Sequence, residues 1–123
     1  MRPKIMIVDD EPDVCEAISH YLGKRDYDVI TATSAREAIN KLLNEKPLLV
    51  LLDIKMPDID GIECLQMIKK LDKEALVVMV TCVSDLETAK QTLALGAVDY
   101  ITKPLCLEAI ETAVSTYLFL HSL

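Results

Sequence analysis

The sequence predicts an α/β fold, a doubly wound sheet of five parallel strands with helices on both faces. Three observations point to this fold class. Short apolar runs alternate five times with stretches of helical periodicity. Two of these runs, LLVLL and ALVVMV, are apolar at every position, as expected of strands that helices cover on both sides. The length of 123 residues, 51% of them hydrophobic, suits one compact domain over 1–123 with an aliphatic core.

Each predicted strand is followed by its own predicted helix. In chain order the pairs are KIMIV (4–8) with a helix over 12–24, DVITA (28–32) with 34–44, LLVLLD (48–53) with 61–71, ALVVMVT (75–81) with 85–95, and VDYIT (98–102) with a helix from 105 towards the C-terminus.

Residues at the element boundaries support these assignments. Ser34 and Glu37 have the spacing of a capping box, Pro12 suits a first helical turn, and Gly96 suits a helix C-terminus. Right-handed crossovers with helices on both faces favour the flavodoxin-like strand order 2-1-3-4-5. Ligands of such sheets bind at the carboxyl ends of the strands, at the switch between strands 1 and 3.

The charge balance excludes some classes of partner. With 13 basic and 20 acidic residues the formal net charge is −7, which argues against direct binding of nucleic acid or an anionic membrane by this domain. The apolar stretch near the N-terminus, residues 5–8, is too short for a signal peptide or a membrane span. We therefore expect a cytoplasmic location.

The four cysteines do not have the spacing of a metal site. Cys15, Cys64, Cys82 and Cys106 include no CxxC pair, and the chain has only two histidines, so neither a zinc site nor a disulfide framework is expected. Cys15, Cys64 and Cys106 fall in helical patterns, which predicts small buried thiols. Cys82 instead follows the fourth predicted strand.

Polar residues that close the strands form the most informative pattern. Asp9 and Asp10 follow strand 1, Asp53 follows strand 3, Thr81 ends strand 4 and Lys103 follows strand 5. Each residue alone is ordinary for a turn or strand end, but in this fold all five converge on one edge of the sheet. Three carboxylates about 5 Å apart repel by about 3 kcal/mol per pair at an effective dielectric near 20, so a neutralising cation is expected.

Mg²⁺ fits such a site, because it prefers carboxylate oxygens and shares its remaining positions with water and phosphate oxygens. Lys103 can offset the charge of Asp53 or of a phosphoryl group on it. A carboxylate flanked by a metal, an ammonium and a hydroxyl is arranged as a nucleophile towards phosphorus, which makes Asp53 the candidate nucleophile. Thr81 can donate its hydroxyl to a phosphoryl oxygen, and the backbone after Asp53 can supply a carbonyl to the metal.

Four motifs together resemble the receiver domain of response regulators in two-component signalling, in particular its chemotaxis-regulator-like members. They are VDDE (8–11), LLDIKMPDIDG (51–61), VTC (80–82) and DYITKP (99–104). The resemblance covers the whole chain. It implies that Asp53 accepts a phosphoryl group from the phosphohistidine of a histidine kinase or phosphotransfer protein. It also implies that Asp10 binds Mg²⁺ directly, that Asp9 binds it mainly through water, and that the Lys55 carbonyl completes the protein ligands.

The resemblance assigns roles to further residues. Lys103 contacts the phosphoryl oxygens, and the Lys103–Pro104 peptide bond resembles one that is cis in the family. Thr81 turns towards the phosphoryl group, and Tyr100 follows it inward as the switch aromatic. The output surface is then helix 4, strand 5 and helix 5, facing a downstream effector domain or protein, with a homodimer as a further possibility. Beyond its own phosphotransfer and dephosphorylation, such a domain is not an enzyme.

Three positions near Asp53 affect the expected lifetime of a phosphoryl group. Position 82 is usually Ala or Gly in the family, whereas here it is Cys82, whose sulfur crowds access by a donor or water. Lys55 and Val83 offer no carboxylate or amide to orient an attacking water. We therefore expect slow intrinsic dephosphorylation.

The last predicted helix carries two sets of apolar residues. The first has the spacing of a core stripe and comprises Leu107, Ile110, Val114, Tyr117 and Leu118. The second, Phe119, Leu120 and Leu123, lies off that stripe. It is compatible with a frayed end that covers the sheet edge, with a dimer contact, or with continuation into an effector domain.

Other functions remain as alternatives to a phosphoacceptor. The first is a receiver-like interaction module that works without phosphorylation. A Mg²⁺-dependent phosphatase with an aspartyl nucleophile is disfavoured, because its D-x-D element is missing: Glu11 stands two residues after Asp9 and Lys55 two after Asp53. A flavodoxin is disfavoured because acids after strand 1 repel the flavin phosphate.

Overall fold

Strands and helices alternate strictly along the chain. The computed structural model describes residues 2–123, and within them it contains five strands and five helices, all within two residues of the predicted bounds. They are β1 (Lys4–Val8), α1 (Pro12–Gly23), β2 (Asp28–Ala32), α2 (Ala35–Glu45), β3 (Leu49–Leu52), α3 (Gly61–Leu71), β4 (Leu76–Thr81), α4 (Leu86–Ala94), β5 (Asp99–Thr102) and α5 (Leu107–His121).

The strands form one parallel sheet in the order β2-β1-β3-β4-β5, which confirms the predicted topology. β1 and β3 pair with Val8 level with Leu52, so the next residues, Asp9 and Asp53, leave the sheet at the same height. Backbone hydrogen bonds continue beyond the strand ends, from Asp53 N to Val8 O at 2.9 Å and from Asp9 N to Ala32 O at 3.0 Å. The strand register therefore fixes the backbone of both acids.

Helices cover the sheet on both faces, as the unbroken apolar runs predict. Met6 and Val8 of β1 join one buried cluster with residues of α2 and α3. Ile5 and Ile7 of the same strand point the other way and join a second cluster with residues of α1 and α5. Because alternate side chains of a strand face opposite sides, the central strands are buried on both faces. Because both faces of the sheet are covered, a functional site can form at the strand ends but not on the faces.

The predicted caps are present, with one difference in detail. Pro12 occupies the first turn of α1, and Gly96, with φ of 111°, follows the end of α4. Ser34 Oγ accepts from Glu37 N at 3.1 Å, as in a capping box. The return bond differs, however, because the Glu37 carboxylate accepts from Thr33 N at 2.7 Å rather than from the N-cap residue. The bond that Glu37 returns thus goes to the residue before the N-cap rather than to the N-cap itself.

The prediction of a buried thiol is wrong for one cysteine. Cys15 and Cys64 are buried in α1 and α3, as predicted, and all four cysteines are free thiols. Cys106 is exposed, because α5 begins at Leu107 and the thiol lies at its N-cap, before the helix turns residues towards the core.

The C-terminal helix separates its two apolar sets. Ile110 and Val114 are buried, and the remaining stripe residues pack against the same cluster. Phe119, Leu120 and Leu123 are 64%, 52% and 85% exposed, so they do not cover the sheet edge. The dimer contact and the continuation into an effector domain stay open.

Across residues 2–123, no helix combines the length and the hydropathy that crossing a membrane requires.

Candidate functional site

Three carboxylates meet at the carboxyl ends of β1 and β3, as predicted. Asp9, Asp10 and Asp53 each offer one oxygen, and these oxygens all lie within 4.8 Å of one another. Asp9 and Asp53 are buried, with 3% and 5% exposure, whereas Asp10 is exposed. The pocket, defined here as these three acids, is therefore anchored in the protein interior and open to solvent on the Asp10 side.

Lys103 brings a positive charge into the pocket. Its Nζ lies 2.7 Å from Asp9 Oδ2, 3.3 Å from Asp53 Oδ2 and 3.5 Å from Glu11 Oε1. The backbone N of Lys103 donates to Thr81 O at 2.8 Å, which extends the pairing of β4 with β5 and sets the level of the side chain. The sequence predicts a contact with Asp53; the structure adds Asp9 as the nearest partner.

The local charges shift the pKa values of this ion pair. Burial alone lowers the pKa of Lys103, but the hydrogen bond to Asp9 and the charges of Asp53 and Asp9 outweigh it and raise the pKa above its ordinary value. Burial raises the pKa of Asp9, against the opposing hydrogen bonds from Lys103 and from Glu11 N at 3.0 Å. Lys103 is thus firmly protonated at neutral pH.

The loop between β3 and α3 packs tightly against Asp53. Asp53 Oδ1 accepts from Ile54 N at 2.7 Å, and Gly61 N donates to Ile54 O at 2.6 Å. A Cβ atom at Gly61 would lie 2.0 Å from Asp53 O and 2.6 Å from the Ile54 Cα, closer than any side chain allows. Glycine is therefore required at position 61, and the exposed Lys55 stands just after this contact.

A second acid of this loop, Asp58, contacts a different helix. Its Oδ1 accepts from Ala35 N at 3.1 Å and its Oδ2 from Arg36 N at 2.9 Å. These hydrogen bonds, from Arg36 first and then Ala35, lower the pKa of Asp58 to about 2. The sequence did not predict this contact. The signal it offers is a second acid in the loop besides Asp60, which caps α3 by accepting from Glu63 N at 2.9 Å.

The two residues assigned to the switch both form hydrogen bonds with the backbone of Val83. Thr81 is fully buried, and its Oγ1 accepts from Val83 N at 3.3 Å. Tyr100 is half-buried, and its hydroxyl donates to Val83 O. Burial raises the pKa of Tyr100, with further contributions from the charges of Asp85 and Asp53. The backbone of Val83 therefore links both groups, whereas the sequence had pointed only to the Val83 side chain.

Two further features that the sequence singles out follow Thr81 and Lys103 in the chain. Cys82 follows Thr81 directly and is exposed. The Lys103–Pro104 peptide bond is cis, as the resemblance implies.

The donor set of the pocket fits a hard divalent cation. Three carboxylates offer oxygen ligands only, which suit Mg²⁺ rather than a metal that prefers sulfur or imidazole. One ammonium cannot neutralise three carboxylates, so excess negative charge favours such an ion. The residues that fit as ligands are Asp9, Asp10 and Asp53.

Comparisons with known proteins agree with this geometry. The family model of the response regulator receiver domain matches residues 5–115. The chain is 34% identical over 122 residues to the sporulation initiation phosphotransferase F of Bacillus subtilis (strain 168), which covers 99% of this chain and 98% of that protein. Seven other relatives, all named as regulators or regulatory proteins, are longer, and the chain spans 25% to 51% of their length.

Solved structures show the same similarity. The CheY-like response regulator receiver domain protein from Methanospirillum hungatei JF-1 matches with a TM-score of 0.95 and 32% identity, over 99% of this chain and 98% of that chain. The CheX-CheY-BeF3-Mg+2 complex from Borrelia burgdorferi matches with a TM-score of 0.91 and 31% identity, over 94% of this chain and 89% of that chain.

Proposed function

The chain belongs to the response regulator receiver domain family of two-component systems, and from this membership we propose that residues 1–123 accept a phosphoryl group on Asp53. The observation that carries the proposal is the placement of Asp53 between an ammonium and two further carboxylates at the switch point of the sheet. The donor is the phosphohistidine of a histidine kinase or of a phosphotransfer protein. The cytoplasm, where such partners work in this family, is the proposed location.

The transfer exchanges one bond to phosphorus for another. A carboxylate oxygen of Asp53 bonds to phosphorus while the P–N bond of the phosphohistidine breaks. The electron pair of that bond stays with the leaving imidazole, which takes up a proton. Lys103 Nζ, 3.3 Å from Asp53 Oδ2, supplies positive charge where the phosphoryl oxygens crowd together.

The proposed cofactor is Mg²⁺, held by Asp9, Asp10, Asp53 and the backbone carbonyl of Lys55. When bound, it neutralises the carboxylates and the oxygens of the incoming phosphoryl group. The all-oxygen donor set supports this assignment, as does the similarity to a solved complex that contains BeF3 and Mg+2. Asp10, the exposed acid of the three, is the one open to an entering ion.

Phosphorylation is proposed to act on the face formed by α4, β5 and α5. Thr81 exchanges its hydrogen bond from Val83 N for one to a phosphoryl oxygen, which disturbs the backbone of Val83, whose carbonyl accepts from the Tyr100 hydroxyl. α4 is the helix best suited to move in response, because Thr92 is the single buried residue among Leu86–Ala94 and a shift of this helix therefore disrupts little core packing. An effector domain or separate protein would respond to that face. No catalytic activity beyond phosphotransfer and dephosphorylation is proposed.

The proposal is tested by incubating the chain with Mg²⁺ and acetyl phosphate. We expect an acid-stable, base-labile adduct, detected by intact mass, that Asp53→Asn abolishes. Asp26→Asn is the matched control, because the Asp26 side chain is 95% exposed at the opposite end of β2 from the pocket, and it should leave the adduct unchanged. Absence of an adduct on the unmodified chain would instead favour an interaction module that works without phosphorylation.

The same adduct measures the lifetime of the phosphoryl group. Because neither Lys55 nor Val83 offers a carboxylate or amide to orient an attacking water and Cys82 follows Thr81 directly, we expect slow hydrolysis in buffer with Mg²⁺. A lifetime of only seconds would contradict this part of the proposal.

A further inference from the structure

Asp58 makes a long-range contact that the proposed chemistry does not use. Both of its carboxylate oxygens accept backbone N–H groups of α2, from Ala35 at 3.1 Å and from Arg36 at 2.9 Å. These are the first two N–H groups of that helix, which have no partner within it. The carboxylate also lies at the positive end of the helix dipole. One side chain of the β3–α3 loop thus ties the loop to a neighbouring helix.

The tied segment contains the proposed carbonyl ligand. Ile54 is held by two hydrogen bonds, from its N to Asp53 Oδ1 and from Gly61 N to its carbonyl. Lys55 follows Ile54 directly, and Asp58 stands three residues further on. The backbone of Lys55 therefore lies in a short span with one fixed point at Ile54 and another at Asp58.

Stabilising α2 does not by itself require this contact. Ser34, the N-cap residue, already accepts from Glu37 N at 3.1 Å through its own side chain. A helix with a local cap gains a second one from a loop 22 residues away. Because the Asp58 carboxylate is ionised across the neutral pH range, with a pKa of about 2, this second cap persists wherever the protein functions.

We propose that Asp58 is a positioning residue, which holds the carbonyl of Lys55 in place for Mg²⁺ by anchoring the β3–α3 loop to the first turn of α2. The inference rests on the proposed function, since it concerns the metal ligands of that same pocket. Asp58 itself contacts neither the metal nor the phosphoryl group. Its effect passes through the backbone from position 58 back to position 55.

The first test measures Mg²⁺ affinity by isothermal titration calorimetry. Asp58→Ala should weaken binding roughly tenfold, the lower end of the loss on removing groups that orient metal ligands. Asp58→Asn should fall in between, because an amide has one acceptor oxygen for the two N–H groups. Ser34→Ala, which removes a cap of the same helix but leaves the loop tied, should stay within about twofold of the unmodified chain. Equal losses in Asp58→Ala and Ser34→Ala would overturn the proposal.

A second control separates position from charge. Asp60→Asn removes a negative charge from the same loop while keeping an oxygen that can cap α3. Its effect on the Mg²⁺ affinity should be within about threefold, as expected of a screened charge in solvent. A loss as large as that of Asp58→Ala would show that overall charge, not anchoring, sets the affinity.

A third measurement needs no metal. In the metal-free chain, Asp58→Ala should speed hydrogen exchange at the amides of Ala35 and Arg36 and lower the NMR order parameters of Lys55. Unchanged exchange and order would overturn the anchor.

An unmodified chain that binds no Mg²⁺ would refute the proposed metal site even if the anchor holds, whereas normal Mg²⁺ affinity in Asp58→Ala would refute the positioning role alone.

Discussion

At the residue scale, the ammonium of Lys103 decides the charge balance of the pocket. It lies within 3.5 Å of three carboxylates, and its side chain is only 13% exposed. Buried like charges repel strongly unless a counter-ion is close. Before any phosphoryl transfer, the same group that would contact phosphoryl oxygens already forms ion pairs with Asp9 and Asp53.

Lys103→Met should therefore destabilise the metal-free fold. We expect the free energy of unfolding to fall by about 2 kcal/mol, less than the roughly 3–5 kcal/mol for fully buried pairs, because Asp10 keeps the pocket open to solvent. Urea denaturation with EDTA measures the loss, and millimolar Mg²⁺ should recover part of it. Lys90→Met, on the exposed side of α4, is the control and should change stability by less than about 0.5 kcal/mol.

The pH dependence of that difference follows from the raised pKa of Lys103. A lysine whose pKa is higher in the folded state stabilises the fold below its unfolded pKa, near 10.4, and this contribution disappears as the pH rises through the folded value. The difference between the two proteins should accordingly stay constant between pH 7 and 9. Equal stability of Lys103→Met and the unmodified chain at pH 8 without Mg²⁺ would contradict the assigned role.

At the element scale, the sequence predicted every helix and strand but not how the loops interlock. Hydrophobic periodicity and caps are local signals, and they sufficed for all ten elements and for the meeting of Asp9, Asp10 and Asp53. The contact of Asp58 with α2 joins positions 22 and 23 apart, and no local pattern encodes it. The exposure of Cys106 depended on where α5 begins, which is the least certain property of a predicted helix.

The joint between β3 and α3 shows how one element depends on another. Gly61 begins α3 and lies against the backbone of Asp53, where a Cβ would come within 2.0 Å of the carbonyl oxygen. A side chain at this position must displace either the helix or the acceptor. The packing of a helix end thus fixes the geometry of a site on the preceding strand.

Gly61→Ala should consequently impair stability and phosphorylation together. We expect a loss of about 3 kcal/mol in the free energy of unfolding, at the upper end for overpacking, and slower adduct formation with acetyl phosphate. Gly23→Ala offers a matched control, because it lies at the end of α1 with no atom within 4 Å of a new Cβ. There alanine should be neutral or stabilising by up to about 1 kcal/mol. Similar behaviour of the two variants in urea would show that the close approach is unimportant.

At the scale of the whole molecule, the fold concentrates buried apolar residues on both sheet faces and acids at one edge. The two core clusters stabilise the domain, whereas the three carboxylates at the switch point oppose folding through mutual repulsion. Proteins commonly accept such a local cost at functional sites. Removing one of these carboxylate charges should therefore raise the stability of the metal-free fold.

Asp10→Asn tests this trade-off between stability and function. Without Mg²⁺ the variant should be more stable than the unmodified chain, because one of three mutually repelling carboxylates becomes neutral. With Mg²⁺ at ten times its Kd, the unmodified chain should gain about 1.4 kcal/mol by linkage, and the variant much less. Thermal and urea unfolding, each with EDTA and with Mg²⁺, measure the stability change without the metal and the stability gained from it. Asp26→Asn, far from the pocket, serves as the control. A variant that loses stability without Mg²⁺, or gains as much from Mg²⁺ as the unmodified chain, would show that Asp10 is neither a source of repulsion nor a metal ligand.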